Sequence, residues 1–507
     1  MTNSRALLFV ASLLAAASPS LAAGPAELAT RAAIARVQRI DPAINAVLAL
    51  DPTAIAQARR IDGEPPRGAL TGVPVLIKDN IEAAGPLPTT AGSLALIDNV
   101  TGRDAPLVTR LRAAGAVILG KTNLSEWANI RSNHSISGWS AVGGQTRNPH
   151  ALDRDPCGSS SGSAAAVAAG LADYAVGTET DGSITCPAAI NGVVGFKPTV
   201  GMVSRTHIVP ISVSQDTAGP ITRTVRQAAE MMDAIVGSDP ADSATKEADA
   251  HRANFVAALS PNSLRGARIG VMRFAAGFGT DEPFEAALAM LKAQGATLVE
   301  IKSFDDKAIG PNETKVLHME FKTGLNAYLA TTPAAVTSRS LADIISFNSA
   351  HAAQEMGLFG QETFVAADKT KGTADPAYRA ARTASFTAAG PNGIDRLLRE
   401  NRLDALVGPT MPPAWKIDAV NGDQIAGGGA GSLAAVAGYP HLTVPMGAVK
   451  GLPVGLSFMG PKWSDAKMLS FGYAYEQASH AAVPARLLRS IEEGPEVATL
   501  LARQVRR

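Results

Sequence analysis

Residues 156–198 read PCGSSSGSAAAVAAGLADYAVGTETDGSITCPAAINGVVGFKP, two serine- and glycine-rich clusters joined by an alanine-rich segment and an apolar run. Serine hydroxyls offer nucleophilic chemistry, but only where a neighbour removes the proton. The first cluster, Cys157 to Ser163, has too little side-chain bulk to build a core. Glycine at that density marks unusual turns or a ligand close to the backbone. Helix-forming residues 163–172 follow it, so the cluster leads into a helix N-terminus. Residues 173–176 read as a short strand, Thr178-Glu179-Thr180-Asp181-Gly182-Ser183 as a loop, and residues 184–191 as the next helix. That loop presents backbone N–H groups near Ser183, which suits holding an oxyanion. On composition alone, two ordinary Gly/Ser loops fit as well.

Four further segments sharpen the reading. Gly72-Val73-Pro74-Val75-Leu76-Ile77-Lys78-Asp79-Asn80 lies upstream, and Gly195-Phe196-Lys197-Pro198-Thr199, Ser214 to Pro220 and Gly451 to Leu456 lie downstream. Their wording and order resemble the amidase signature family, over nearly all the chain and most weakly between about 240 and 400. The resemblance implies a single α/β domain, a mixed β-sheet covered by helices on both faces. It places the nucleophile at Ser183, a serine preceded by a cis peptide bond at Ser159, and the ultimate base at Lys78. The backbone N–H groups of Thr180, Asp181, Gly182 and Ser183 would hold the oxyanion. A lysine serves as a base only if burial brings its pKa down from about 10.4. Lys78 is therefore expected to be enclosed and to lack a carboxylate partner, despite Asp79 beside it.

One residue departs from the family pattern: Asp181 stands where most members have the first glycine of Gly-Gly-Ser. Were that position held at positive φ, aspartate would be strained there. The variant Gly-Thr-Glu-Thr-Asp-Gly-Ser-Ile, with residues 204–212 and 143–149, is similar to the branch containing bacterial peptide amidases, which remove C-terminal amides. The resemblance thus implies hydrolysis of carboxamides through an acyl-enzyme, with peptide C-terminal amides favoured. A broad aryl or aliphatic amidase or esterase is the alternative. A non-catalytic binding protein would need a disabled site, whereas Lys78, Ser159 and Ser183 are all present.

The elements that must position these residues follow from the rest of the chain. Its 507 residues, 46% hydrophobic, are ample for a large core, and the net charge of +1 with no basic stripe gives no case for nucleic acid. That balance also counts against an amidotransferase component acting on tRNA. Residues 1–23, with Arg5 before an apolar run and Ser20-Leu21-Ala22-Ala23 after it, read as a secretory signal peptide cut near Ala22 or Ala23. The mature enzyme, residues 24–507, is expected to be exported, periplasmic or secreted, and free of the membrane. Residues 24–69 look helical, a strand over 70–77 delivers Lys78, and residues 106–114 and 116–119 form a helix and a strand. The catalytic core spans about 68–240 and 400–480, and a variable, substrate-shaping region spans about 240–400. Helices over 282–292 and 317–329 fall there.

Expected substrate contacts are Gly143 and Gly144, Ser160, and the aromatic residues Phe321 and Phe359. The partner is a small-molecule or peptide amide. No cofactor or metal is implied, since no H-E-x-x-H, C-x-x-C pair or calcium-type acidic loop occurs. Gly158-Ser159-Ser160-Ser161-Gly162 matches a nucleophile elbow, but residues 152–156 are a poor strand. The glycine run 427–431 reads as a loop at the pocket mouth. Cys157 and Cys186 flank the two serines. Export and the convergence of the two loops leave a bridge open, but it would demand a specific Cα spacing, so two unbridged, buried thiols are slightly favoured.

Overall fold

Val75 and Ile77 pack into one buried apolar cluster and Leu76 into another on the opposite side. That alternation belongs to a strand covered on both faces, and it puts Lys78 on the same face as Leu76. A computed structural model describes residues 23–501. The leader read over residues 1–23 therefore lies, save for Ala23, outside the described residues.

In chain order the strands are β1 (Val47–Leu50), β2 (Pro74–Lys78), β3 (Val117–Thr122), β4 (Trp139–Ser140), β5 (Gly144–Gln145), β6 (Tyr174–Glu179), β7 (Val194–Lys197), β8 (Thr217–Thr222), β9 (Arg268–Met272), β10 (Thr297–Ile301), β11 (Ala405–Pro409), β12 (His441–Val449) and β13 (Leu452–Met459). β4 and β5 make a small hairpin. The other eleven form one mixed sheet in the order β1-β3-β2-β6-β8-β7-β12-β13-β11-β9-β10. β2 runs parallel to both its neighbours, β3 and β6.

The helices that shape the site are α1 (Pro25–Ile44), α2 (Ala54–Asp62), α3 (Pro106–Ala113), α4 (Ser161–Ala168), α5 (Thr185–Ile190), α6 (Val225–Ile235), α7 (Asp281–Ala293) and α8 (Gly310–Leu329). α1, α2 and α4 bury their apolar residues against the Leu76 face, and α3, α6 and α7 against the other. The fold is thus the single α/β domain with a mixed, helix-covered sheet that the resemblance implies. Residues 240–400 contribute β9 and β10 at one sheet edge as well as helices.

Residues 24–69 are not wholly helical. Asn45 takes a left-handed conformation (φ 53°) that ends α1, and the Asp41 carboxylate accepts the N–H groups of Ala46 (2.7 Å) and Val47 (3.2 Å). The chain is turned out of the helix, and the short apolar run that follows pairs with β3 as an edge strand.

α4 fixes the first serine cluster by lying almost on the backbone beneath it. A Cβ added at Gly162 would sit 2.2 Å from Ala46 O and 2.6 Å from Asn123 O. Neither is a flexible side-chain end, so Gly162→Ala is expected to lower stability by about 1–3 kcal/mol. A reduced guanidinium midpoint with an unchanged far-ultraviolet spectrum is the expected observation. An unchanged midpoint would mean that α4 is not packed this closely.

Candidate active site

Lys78 ends β2 with no exposed surface. Its Nζ lies 2.7 Å from Ser159 Oγ, 2.8 Å from Thr178 Oγ1 and 3.3 Å from Thr178 O. Asn80 Nδ2 donates to the same threonine hydroxyl at 2.9 Å. Burial brings the lysine down to about 7, against the opposing pull of the Asp216 and Glu179 charges. Asp79 is turned to the other side of the strand, 3.3 Å from Lys121 Nζ, and accepts the N–H of Thr90. Among the described residues no carboxylate forms an ion pair with Lys78.

The two serine clusters are held together by backbone and hydroxyl bonds. Ser160 N donates to Ser183 O (3.1 Å). Ser160 Oγ donates to Thr178 O (3.1 Å), and Ser161 Oγ donates to Cys157 O (2.6 Å). The Gly158–Ser159 peptide is cis. Glu179 folds the second loop back on itself: its carboxylate accepts the N–H groups of Ile184 (2.7 Å) and Thr185 (2.9 Å), at the start of α5. The loop needs positive φ only at Gly182 (79°), not at Asp181. The aspartate therefore carries no backbone strain. Among the described residues no protein acceptor meets the N–H groups of Asp181, Gly182 or Ser183. Thr180 donates its hydroxyl to Asp216 (2.6 Å), whose other oxygen accepts the N–H groups of Ile211 and Ser212.

Above this loop opens a cavity of about 470 Å³, walled by Gly158, residues 180–183, Leu317 of α8, Thr410 and Ile425. Ser159 lies beneath, beside a space of about 30 Å³ that it shares with Asn80, Thr178 and Asp216. A hydroxyl-rich floor, an enclosed lysine and unpaired N–H donors below a cavity suit acyl transfer. The family profile described as Amidase matches residues 28–469. The chain belongs to the amidase signature family. It is similar to a peptide amidase of Stenotrophomonas maltophilia, whose crystal structure is 52% identical in sequence with a TM-score of 0.87, covering 91% of this chain and 95% of that one. A probable amidase of Arabidopsis thaliana is 39% identical over 467 residues, 89% of this chain and 86% of its own. A putative amidase of Arthroderma benhamiae is 35% identical over 501 residues, 92% and 81% of the two chains. The protein is an amidase, a hydrolase of amide bonds.

The expected substrate contacts fall elsewhere in this amidase. Gly143 and Gly144 sit at the β4–β5 hairpin, where Gly143 O accepts from Asn45 and Gly144 O accepts from Asn123 Nδ2 (2.9 Å). Ser160 spends its hydroxyl on Thr178. Phe321 lies about one helical turn beyond Leu317, past the cavity, and stacks on Phe364 at 5.0 Å. Phe359 packs edge-on to Trp139 (5.2 Å), with the Arg131 guanidinium 4.2 Å from its ring centre. None of the five lines the cavity.

The wall is instead supplied by the 411–432 segment, through Met411, Asp423, Ile425, Gly431 and Ser432, and by His441 at the start of β12. Burial holds His441 neutral, at about 3, with Nε2 2.6 Å from Ser457 Oγ. Among these, only the glycine run carried a sequence signal. Thr178 and Asn80 stood within the quoted motifs with no role attached.

The cysteines need correction as well. Cys157 and Cys186 are disulfide-bonded, with Cα atoms 6.1 Å apart. Convergence of the two loops brings them together: besides the Ser160–Ser183 bond, Asn191 Nδ2 donates to Pro156 O (2.8 Å). A bond across 29 residues contributes about 3–4 kcal/mol by restricting the unfolded chain. Replacing both cysteines by alanine is expected to lower unfolding stability by that order, and the unreduced protein is expected to show no free thiol to a maleimide. Two labelled thiols would overturn the bond.

Proposed function

We propose that this amidase removes the C-terminal amide of peptides, with Ser183 as nucleophile and Lys78 as base acting through Ser159. The observation that carries the reading is a fully enclosed lysine, poised near neutrality, 2.7 Å from a serine hydroxyl. As a neutral amine, Lys78 has two N–H bonds and one lone pair. Donating to Thr178 O and Thr178 Oγ1 uses the N–H bonds and leaves the lone pair for the Ser159 proton. Ser159 in turn takes the proton of Ser183 as Ser183 Oγ attacks the amide carbon.

The developing oxyanion meets the unpartnered N–H groups of Asp181, Gly182 and Ser183, with Thr180 N–H as the fourth expected donor. Losing one such donor typically costs about 3 kcal/mol. The proton then returns through Ser159 to the leaving nitrogen, the C–N bond breaks and ammonia departs. Water, deprotonated by the same relay, cleaves the Ser183 ester and releases the carboxylate. The preference for peptide amides is supported by the likeness to the Stenotrophomonas peptide amidase, and the cavity has the volume of a small-ligand site. We also read the chain as exported after removal of residues 1–23. A disulfide beside the serines fits an oxidising compartment.

Ammonia release from amidated peptides, benzamide and glutamine tests the substrate and the residues together. Ser183→Ala and Lys78→Ala are each expected to lower kcat by about a thousandfold or more. Turnover of benzamide but not of amidated peptides would sink the peptide reading and keep the mechanism. The neutral lysine is the working form, so kcat/KM should fall about tenfold per pH unit below about 7 and level off above it. A flat profile from pH 5 to 8 would remove Lys78 as the base.

A further inference from the structure

The catalytic reading uses the backbone of Asp181 but not its side chain. Aspartate stands where the family resemblance implies a glycine, and the positive φ belongs to the next residue, so backbone geometry does not explain the exchange. The residue instead lines the 470 Å³ cavity in the wall that holds Ser183. Glu313, in the first turn of α8, and Ser432, on the same wall, are its near neighbours. Glu313 is itself anchored by Gln215, whose Nε2 donates to Glu313 Oε1 (2.7 Å) and to Thr180 O (3.3 Å). Burial raises both carboxyls, and the Asp181 charge pushes Glu313 further up. Two carboxyls sharing one buried site disfavour double ionisation, so the pair favours carrying a single negative charge.

No cationic side chain lines the wall among the described residues. The ionisable side chains lining this cavity are Asp181, Asp423 and the neutral His441, with no lysine or arginine among the described residues. Arg205, beside the smaller space, is engaged by Asp242 at 2.6 Å. Lys197 is buried behind the wall, its Nζ donating to Tyr439 O (2.7 Å), and its charge acts on Asp181 from the interior without reaching the cavity lining. Arg382 acts on Glu313 but is absent from the cavity wall.

We propose that Asp181 determines acyl-group specificity, admitting neutral and cationic groups to the cavity and rejecting carboxylates. The proposal rests on Ser183 being the nucleophile, which places the acyl group in this cavity. Charges of like sign brought together in a low-dielectric enclosure repel far more strongly than in water. Peptide amides ending in basic or neutral residues are therefore substrates, and those ending in Asp or Glu are poor ones. The carboxylate product is repelled by the same charge.

The test compares peptide amides that differ only in the C-terminal residue: glutamine against glutamate, and lysine against norleucine. Wild type should favour glutamine over glutamate by about tenfold or more in kcat/KM, with lysine at least equal to norleucine. In Asp181→Asn the glutamine-to-glutamate ratio should collapse to about twofold or less. Glu313→Gln leaves the Asp181 charge in place and should retain the ratio. Because each ratio is taken within one variant, a general loss of activity cancels.

Titrating the same two amides into Ser183→Ala, with and without Asp181→Asn, repeats the comparison without turnover. An unchanged ratio in Asp181→Asn, or equal use of glutamate and glutamine by wild type, overturns the proposal. Mass spectrometry of the trapped acyl-enzyme reports on Ser183 separately. An acyl group found elsewhere would fault the nucleophile assignment and leave the charge comparison in Ser183→Ala standing as its own result.

Discussion

A lysine side chain taken wholly out of water must either find a counter-charge or give up its proton, because an isolated ammonium is strongly disfavoured in a protein interior. At the end of β2 the first route is closed. The adjacent acid, Asp79, faces the other way and is occupied by Lys121, while Lys78 meets only hydroxyl and carbonyl oxygens. Much of the surrounding architecture maintains this condition. The parallel neighbours β3 and β6 bury the strand from both sides, and α4 seals the face on which the lysine emerges.

The same seal positions the serines. Because α4 and α5 start from loops on either side of β6, the hydroxyl that touches Lys78 and the one that faces the cavity are tied to one strand. Thr178, near the end of β6, bonds both Lys78 and Ser160. Glu179, next along, sets the turn before α5. The proposed proton relay and oxyanion donors thus share a single rigid support, which limits how far they can drift apart.

What the chain's letters revealed follows from where information is local. Gly182, the Ser160–Ser163 helix start and the strand into Lys78 are each specified by neighbours in sequence, and their motif order identified the family and its sheet. The strand β1 was overlooked because its four residues follow a long helix, and only Asn45 and the Asp41 carboxylate mark the break. Side-chain direction is not local. Phe321 and Phe359 belong to aromatic packing beside the cavity, and helical spacing cannot tell a core face from a pocket face. Apart from the glycine run 427–431, the contribution of residues 411–432 was equally hidden, since it depends on how a motif-poor segment is laid across the mouth. The pairing of Cys157 with Cys186 required the distance between two loops, a quantity set by the finished fold.

That bridge changes the connectivity of the site. Residues 157–186 form a closed covalent ring, and Ser159 and Ser183 both lie inside it. A peptidase that cut the chain anywhere between the two serines would sever the backbone without producing two separable pieces. The nicked protein would still present both hydroxyls on one molecule, and only reduction would let the halves come apart.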